Sequence, residues 1–350
     1  MKNQDAYSIQ RIINIFGASI HRDTLAKAER LGQVPTAGRL QTGSLRARRW
    51  GIAQLPEIGE RFGFIPKFQS PQVISVFSMK GGVLKTTLSL NIARIAALHN
   101  MRVCVVGLDT QGDITKTLLS EPEPSEHADL ATALEQSRRL LGLADVLRED
   151  VSIFDTILPT DLPTLHIIPE TAGLARLDIE LTPRNRREYW LSENVIEQLK
   201  TRFDLIVLDC APSWSQVIGN ALVACDMMVS PLETKINHFR NYEDFTAFVG
   251  TFERSMGQEL KKMFVPTKYQ AGRKLSSDIR AWYMQNVPGC TATVIREAVV
   301  GEEAMSAGKS LPEYAPTTSA ANDMRDLMIE IWSKLPTVSR DAANADQAAA

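Results

Sequence analysis

Short apolar runs alternate with amphipathic segments from residue 72 to about residue 336. The apolar runs cover residues 73–77, 102–108, 203–208, 227–230, 263–265 and 291–295, and each is about as long as a buried β-strand. After the first run, apolar side chains follow helical spacing over residues 86–98. Apolar strands separated by helices are typical of a mainly parallel sheet that is covered on both faces. The pattern therefore predicts an α/β domain with a doubly wound sheet and a strand at each run.

Residues 1–70 have a different pattern and predict a small helical domain. Thr24 to Gly32 has the composition of a helix closed by glycine, an arginine-rich stretch follows a turn, and another helix begins near Gln54. Lys and Arg outnumber Asp and Glu in this segment, although the whole chain has a net charge of −2. A basic segment on an acidic body favours a nucleic-acid-binding module, but charge alone fits a solvated surface equally well.

Three parts of the chain are expected from this organisation. A linker at residues 68–71 separates the helical domain, residues 1–70, from the α/β domain, residues 71–336. Residues 337–350 are small and polar, and they predict a disordered tail. No apolar run approaches the ~20 residues of a membrane-spanning helix, and the N-terminus lacks a signal-peptide core. We therefore expect a cytoplasmic protein with no membrane partner.

The cysteines point to the same compartment. They are far apart along the chain, and no two of them form a Cys-x-x-Cys pair. This spacing favours reduced, buried thiols over disulfides and over metal or iron–sulfur sites. The four residues are Cys104, Cys210, Cys225 and Cys290.

The segment Lys80–Thr87, Lys-Gly-Gly-Val-Leu-Lys-Thr-Thr, lies between the first apolar run and the helix. It has the composition of a phosphate-binding loop, in which glycines let backbone N–H groups surround a polyphosphate. Lys85 then supplies a cation to the phosphates and Thr86 a hydroxyl to Mg²⁺; an ordinary turn with a helix cap is the alternative. We expect all eight residues to bind the nucleotide: Lys80, Gly81, Gly82, Val83, Leu84, Lys85, Thr86 and Thr87.

Leu84 stands where this kind of loop has glycine immediately before the lysine. A side chain at such a position strains the backbone by roughly 1–3 kcal/mol or crowds the phosphates. We therefore predict weakened nucleotide binding, slow hydrolysis or both.

Two carboxylates follow apolar runs, at Asp109 and Asp209. In parallel sheets ligands bind at the carboxyl ends of the strands, where both residues and the loop are expected to meet. Asp209 is placed to support Mg²⁺ through its water shell, although a cap at the strand end is the alternative. Asp109 is a candidate for orienting the attacking water.

These motifs resemble those of the ParA family of deviant Walker A ATPases, which segregate plasmids and chromosomes. The loop resembles the family's Lys-Gly-Gly-Val-Gly-Lys-Thr-Thr, and residues 108–112, Leu-Asp-Thr-Gln-Gly, resemble its Leu-Asp-Pro-Gln-Gly. Residues 203–213 resemble its Tyr-Asp…Ile-Asp-Cys-Pro-Pro-Ser, and the similarity extends in order over about residues 72–332. One departure is Gly107, where the family usually has a further Asp.

The resemblance implies a role for several residues. Lys80 is the signature lysine that reaches the nucleotide of the partner subunit in an ATP-bound dimer, and Asp109 is the catalytic carboxylate. Thr267 lies near the adenine pocket, and Arg296 and Lys309 lie near positions that bind DNA without sequence preference. ATP with Mg²⁺, nucleoid DNA, a homodimer that can assemble further on DNA and a ParB-like centromere-binding protein are the implied cofactors and partners.

Residues 8–64 show a looser similarity to the winged helix-turn-helix of MerR-type regulators. In this interpretation Arg46, Arg48 and Arg49 contact DNA phosphates, and Trp50 packs beneath them. The module would then recognise DNA, including the operator of its own operon. A helical dimerisation or partner-docking domain is the alternative.

Two functions remain open at this point. The first is a partition ATPase that dimerises on ATP, binds DNA and hydrolyses ATP slowly because of Leu84. The second is a DNA-binding transcriptional regulator whose nucleotide site is weak or does not hydrolyse. A MinD-like membrane switch fits less well, because the apolar stripe within residues 323–334 is flanked by acidic residues and favours a core helix.

Overall fold

The computed structural model describes residues 6–18, 20–42, 45–119, 140–148, 151–236 and 241–338; the side chains of residues 40–46 and 241 are outside that description. The front of the chain contains β1 (Ala6–Tyr7), α1 (Ile9–Ile15), α2 (Arg22–Arg30), β2 (Gly38–Thr42), β3 (Leu45–Gly51) and α3 (Leu55–Phe62). The following elements are β4 (Gln72–Val76), α4 (Lys85–Leu98), β5 (Val103–Leu108), α5 (Asp113–Leu118), α6 (Leu143–Leu147), β6 (Leu158–Pro159), β7 (Leu165–Ile168) and α7 (Leu174–Leu181). The last ones are β8 (Leu205–Cys210), α8 (Gln216–Ala224), β9 (Met227–Glu233), α9 (Asn241–Met256), β10 (Lys262–Thr267), α10 (Lys274–Asn286), α11 (Val299–Ser306), α12 (Leu311–Tyr314) and α13 (Ser319–Trp332).

A seven-stranded sheet forms the centre of the molecule, with strand order β10-β9-β4-β8-β5-β7-β6. Its strands are parallel except for β6, which runs antiparallel to β7. The register pairs Asp209 with both Val76 of β4 and Gly107 of β5, so these three strands end at the same edge. The predicted mainly parallel, doubly wound sheet is confirmed.

The two faces of the sheet are covered by separate hydrophobic clusters. Successive side chains of a strand point to opposite faces: in β4, Ile74 and Val76 belong to one cluster, whereas Val73 and the following Phe77 belong to the other. Burial of both faces explains why these strands are continuous apolar runs rather than alternating ones.

The prediction of a strand at residues 291–295 is wrong. Isolated bridges flank this segment, between Phe264 and Cys290 and between Tyr269 and Arg296. The backbone N–H groups of residues 291 and 295 still donate to carbonyl groups of β10. The backbone N–H groups of residues 292 and 293 donate to the carboxylate of Glu330 instead of to a neighbouring strand. An apolar composition predicts burial, but it does not show which acceptor the backbone will use.

The front segment is continuous with the main core. Its strands form a small antiparallel sheet in the order β1-β3-β2, and buried residues of this segment share a single hydrophobic cluster with the helix α4. At the end of α4, the His99 imidazole accepts a hydrogen bond from the Phe64 backbone N–H at 2.9 Å. Across the molecule, the Arg325 side chain donates to the carbonyl groups of Asn14 and Ile15.

The predicted linker and the start of the predicted tail are packed together. Phe68 stacks on Trp332 with ring centroids 4.8 Å apart and forms a bridge with Thr337. The backbone N–H of Val338 donates to the Lys67 carbonyl at 2.9 Å. Residues 68 and 337 are therefore packed rather than loose, while residues 339–350 of the predicted tail lie outside the described residues.

Other expectations concern burial. The stripe of α13 is buried core, as predicted. In the part of the chain that the structure describes, no helix is both long and apolar enough to cross a bilayer. Cys104, Cys210 and Cys225 are buried as free thiols, whereas Cys290 is partly exposed.

Candidate nucleotide site

The loop after β4 leaves its glycines open to a ligand. A Cβ at Gly81 or Gly82 would meet no atom within 4 Å, and Gly82 has a φ of +70°. Lys85, at the first position of α4, is only 7% exposed and donates from Nζ to the Lys80 carbonyl at 2.8 Å. Burial lowers the pKa of Lys85, against the charges of Asp209 and Asp109, which raise it. Polyphosphate oxygens in this loop would give the ammonium group further acceptors.

Leu84 has left-handed backbone geometry, with φ 74° and ψ 27°. An L-residue with a Cβ is strained in this region, whereas glycine adopts it freely. The Leu84 side chain is partly buried and packs against the core cluster that includes α4. Its packing therefore offsets part of the backbone strain, and the geometry agrees with the strain expected from the sequence.

Asp209 is the last but one residue of β8 and contacts α4. It is 1% exposed, and its Oδ1 accepts a hydrogen bond from Ser89 Oγ at 2.6 Å. The Thr86 hydroxyl is close enough to this carboxylate to lower its pKa. Burial raises the pKa of Asp209 to about 6, and the two hydroxyl groups and Lys85 limit that rise. The two predicted metal-site residues, Thr86 and Asp209, are therefore brought together.

Asp109 directly follows β5 and begins a tight turn. Its Oδ1 accepts from the Gln111 backbone N–H at 3.1 Å, and its carbonyl accepts from Gly112. Asp109 faces the phosphate-binding loop across an open cavity of about 540 Å³. The residues that line this cavity are Gly81, Gly82, Leu84, Lys85, Thr86, Thr87, Asp109, Gln111, Asp113, Lys116, Thr117, Pro212, Met305 and Ser306.

Two further predicted residues are not among those that line this cavity. Thr267 is completely buried, and its hydroxyl donates to the Val83 carbonyl at 3.4 Å, so it supports the loop. Lys80 lines a neighbouring cavity of about 380 Å³ together with aromatic side chains of α9. Of these two lysines, only Lys85 lines the cavity of about 540 Å³.

Metal binding by protein side chains alone is not indicated. Among the described residues, no three His, Cys, Asp or Glu side chains cluster closely enough to hold an ion. Mg²⁺ in nucleotide sites is usually held by one or two protein oxygens together with phosphates and water, which agrees with the Thr86–Asp209 pair.

Most of the arginine and lysine residues proposed for DNA contact have partners within the chain. Arg48 forms an ion pair with Glu29 of α2 at 3.2 Å, and Arg49 donates to the Arg48 carbonyl. Arg296 holds Asp323 through two hydrogen bonds of 2.6 Å. Lys309 contacts the Tyr7 hydroxyl at 3.5 Å.

The remaining parts of the DNA prediction have mixed outcomes. The side chain of Arg46 lies outside the described residues. Trp50 is fully buried and donates from Nε1 to the Pro35 carbonyl, so it supports the hairpin from the core side.

Sequence reasoning missed Glu170, which lies beside this site. It follows β7, and its carboxyl accepts a hydrogen bond from Thr115 of α5. Burial raises the pKa of Glu170 to about 7, and the Thr115 hydrogen bond opposes that shift. The signal was present, because residues 165–170 are an apolar run closed by a carboxylate, as at Asp109 and Asp209.

The parallel sheet, the glycine loop leading into α4, and the Thr86–Asp209 pair define a P-loop nucleoside triphosphatase. Residues 71–262 match the family model described as AAA domain. The chain belongs to the ParA/Soj family of P-loop partition ATPases within it, as the motifs indicated.

Named relatives extend over most of the chain. The sporulation initiation inhibitor protein Soj of Bacillus subtilis is 28% identical over 265 residues, which are 74% of this chain and 98% of that protein. The chromosome partitioning protein ParA of Caulobacter vibrioides is 29% identical over 273 residues, 75% and 94% of the two chains.

A solved structure supports the fold. The crystal structure of a plasmid partition protein from Borrelia burgdorferi, bound to AMPPNP and described as putative, superposes with a TM-score of 0.61. Its sequence is 19% identical, and the match covers 75% of this chain and 99% of that chain.

Proposed function

We propose that this protein is an ATP-driven DNA-partition protein, whose ATP-bound dimer binds DNA and whose ATP hydrolysis releases it. The observation that carries the proposal is the Lys80–Thr87 loop, in which the buried Lys85 donates to the Lys80 carbonyl and Thr86 lies beside Asp209. The names of its relatives, which include partition proteins, favour this function over transcriptional regulation alone.

ATP and Mg²⁺ fit the residues present. The open space at Gly81 and Gly82 admits phosphates close to the backbone, and the N-terminus of α4 favours negative charge. Lys85 would neutralise phosphate oxygens, while Thr86 and Asp209 would hold Mg²⁺ directly and through water. The metal would supply charge neutralisation for the departing phosphate.

Asp109 would orient the attacking water. Its carboxylate lies across the cavity from the loop and is anchored by the turn that follows β5. A carboxylate can hold water in line with the phosphate without itself binding the nucleotide. Leu84 would make turnover slow, because the strained loop is less free to adjust as charge develops.

The proposed dimer uses Lys80. This residue lies beside the main cavity rather than in it, a position from which its side chain could reach a nucleotide bound by a second subunit. We extend the proposal to a ParB-like partner that stimulates hydrolysis, to further assembly on DNA and to association with the nucleoid in the cytoplasm.

The front segment would be a second DNA-binding element, of the winged helix-turn-helix type. Two helices, α1 and α2, are followed by the β2–β3 hairpin, the order in which such modules place a recognition helix and a wing. Arg46, Arg48 and Arg49 lie on the hairpin and would contact phosphates, including those of the protein's own operator. Arg296 and Lys309 would contribute contacts without sequence preference once released from Asp323 and Tyr7.

The decisive experiment measures binding to DNA of random sequence with ATP, with ADP and without nucleotide. Partition activity requires tighter binding with ATP and loss of that gain in Lys85→Ala. Equal binding under all three conditions, unchanged in Lys85→Ala, would instead support a regulator with a vestigial site.

A further inference from the structure

Gly107 of β5 has no room for a side chain. A Cβ at this position would lie 2.1 Å from Cδ and 2.4 Å from Oε2 of Glu170. The backbone of Gly107 is not in the left-handed region, so its need for glycine is spatial and not conformational. Glu170 follows β7, the strand that pairs with β5. Its carboxyl therefore reaches over the neighbouring strand and occupies the volume that a side chain at residue 107 would fill.

The Glu170 carboxyl is joined to α5 by a reciprocal pair of hydrogen bonds. Thr115 donates its hydroxyl to Glu170 Oε2, and the Glu170 backbone N–H donates to Thr115 Oγ1 at 3.1 Å. The second carboxyl oxygen, Oε1, is buried without a hydrogen-bond partner. A buried carboxyl with an unpaired oxygen is costly, so simple space filling, which an apolar side chain would do better, does not account for it.

Thr115 connects this carboxyl to the cavity. It lies in the first turn of α5, which begins directly after the turn formed by residues 109–112. Asp109, Gln111, Asp113 and Lys116 from this segment all line the cavity. Because α5 has only six residues, a single anchor in its first turn has a large effect on where Asp109 is held.

We propose that Glu170 is a positioning residue for hydrolysis, which holds α5 through Thr115 and so fixes the turn that presents Asp109. The glycine at 107 and the glutamate at 170 act as one unit, because the first leaves the space that the second uses. The inference rests on the proposed ATPase function.

The test compares the full-length protein with Glu170→Ala, Glu170→Gln, and Glu170→Ala combined with Gly107→Asp. Glu193→Ala is the control, since Glu193 is a half-exposed glutamate paired with Arg186 away from the cavity. We expect Glu170→Ala to lower kcat about tenfold with KM for ATP changed less than about threefold, as a loss of positioning requires. Glu170→Gln should lose less than about twofold, because its amide oxygen still accepts from Thr115.

The double variant tests whether the two positions form one unit. An Asp at 107 would place its carboxyl in the volume vacated by Glu170, so it should raise both the Tm and the kcat of Glu170→Ala. In the presence of Glu170, Gly107→Asp should instead lower the Tm, because the two side chains overlap. Additive effects of the two substitutions on Tm would overturn the idea of a shared volume.

Further outcomes would overturn the positioning role. An unchanged kcat in Glu170→Ala, or an equal loss in Glu170→Gln, contradicts it. Absence of hydrolysis in the natural protein would count against the proposed function. In that case amide hydrogen exchange without nucleotide decides the inference: faster exchange of residues 109–118 in Glu170→Ala, but not in Glu170→Gln, supports it, and unchanged exchange refutes it.

Discussion

Arg94 and Glu313 form a completely buried, bidentate ion pair, with Nε–Oε2 and Nη2–Oε1 distances both 2.8 Å. The pair joins α4, the helix that begins at Lys85, to α12. Burial alone would raise the pKa of Glu313, but Arg94 holds it below its usual value. Arg11 of the front segment donates to the Glu313 carbonyl at 2.9 Å. One charged pair thus connects the nucleotide-binding helix α4 to α12 near the C-terminus and, through the Glu313 carbonyl, to the front segment.

Removal of one partner of this pair should be strongly destabilising. We expect Glu313→Ala to lower the free energy of unfolding by about 3–5 kcal/mol, because it leaves the Arg94 charge buried and only partly compensated by Asp161. Urea denaturation of the ligand-free protein measures this. Glu193→Ala, which breaks an exposed pair with Arg186, should cost at most about 1 kcal/mol. Similar losses of unfolding free energy in the two variants would show that the buried pair stabilises the protein no more than the exposed pair does.

Two substitutions at Leu84 separate backbone strain from crowding. Leu84→Gly should relieve the left-handed strain and tighten ATP binding by about ten- to a hundredfold, or raise turnover, since 1.4 kcal/mol corresponds to a factor of ten. Leu84→Ala retains a Cβ and the strain but removes the isobutyl group. Calorimetry with ATP and Mg²⁺, together with steady-state hydrolysis, distinguishes the two. If Leu84→Ala gains as much as Leu84→Gly, crowding and not strain limits the natural protein.

Asp109 should be required for hydrolysis and not for nucleotide binding. We expect Asp109→Ala to lower kcat by at least about a hundredfold, the usual scale of general acid–base assistance, with ATP affinity within a few-fold of the natural protein. Phosphate release and nucleotide titration measure the two quantities. Asp113→Ala removes another carboxylate from the same cavity wall and should have a much smaller effect on kcat. Equal losses of kcat in the two variants would mean that hydrolysis depends on the total negative charge of the cavity and not on Asp109 in particular.

The hairpin arginines should determine the salt dependence of DNA binding. Log affinity falls as log salt concentration rises, and removal of one phosphate contact makes this slope shallower by about 1. We therefore expect the Arg46→Ala, Arg49→Ala double variant to have a slope that is shallower by about 2. Arg102→Ala is the control, because Arg102 is paired with Asp204 away from the hairpin. An unchanged slope in the double variant would favour a docking or dimerisation role for the front segment.

Prediction from the sequence succeeded where the signal is local. The strand at residues 72–76 and the helix from Lys85 follow directly from apolar periodicity. The loop between them was recognisable from its glycines and lysines, and the strain expected at Leu84 agrees with its left-handed geometry. Prediction failed at residues 291–295, where the N–H groups of residues 292 and 293 donate to a carboxylate from α13 and interrupt the pairing with β10.

The amino-acid sequence by itself determined the fold class and the phosphate-binding loop, because periodicity and loop composition act over a few neighbouring residues. Its motifs also resembled those of the ParA family. Only the tertiary structure decided that Glu170 fills the space at Gly107, that Arg94 meets Glu313, and that the front segment shares the main core. These contacts join residues that are tens to hundreds of positions apart. Their geometry depends on strand order and helix packing, which no local pattern encodes.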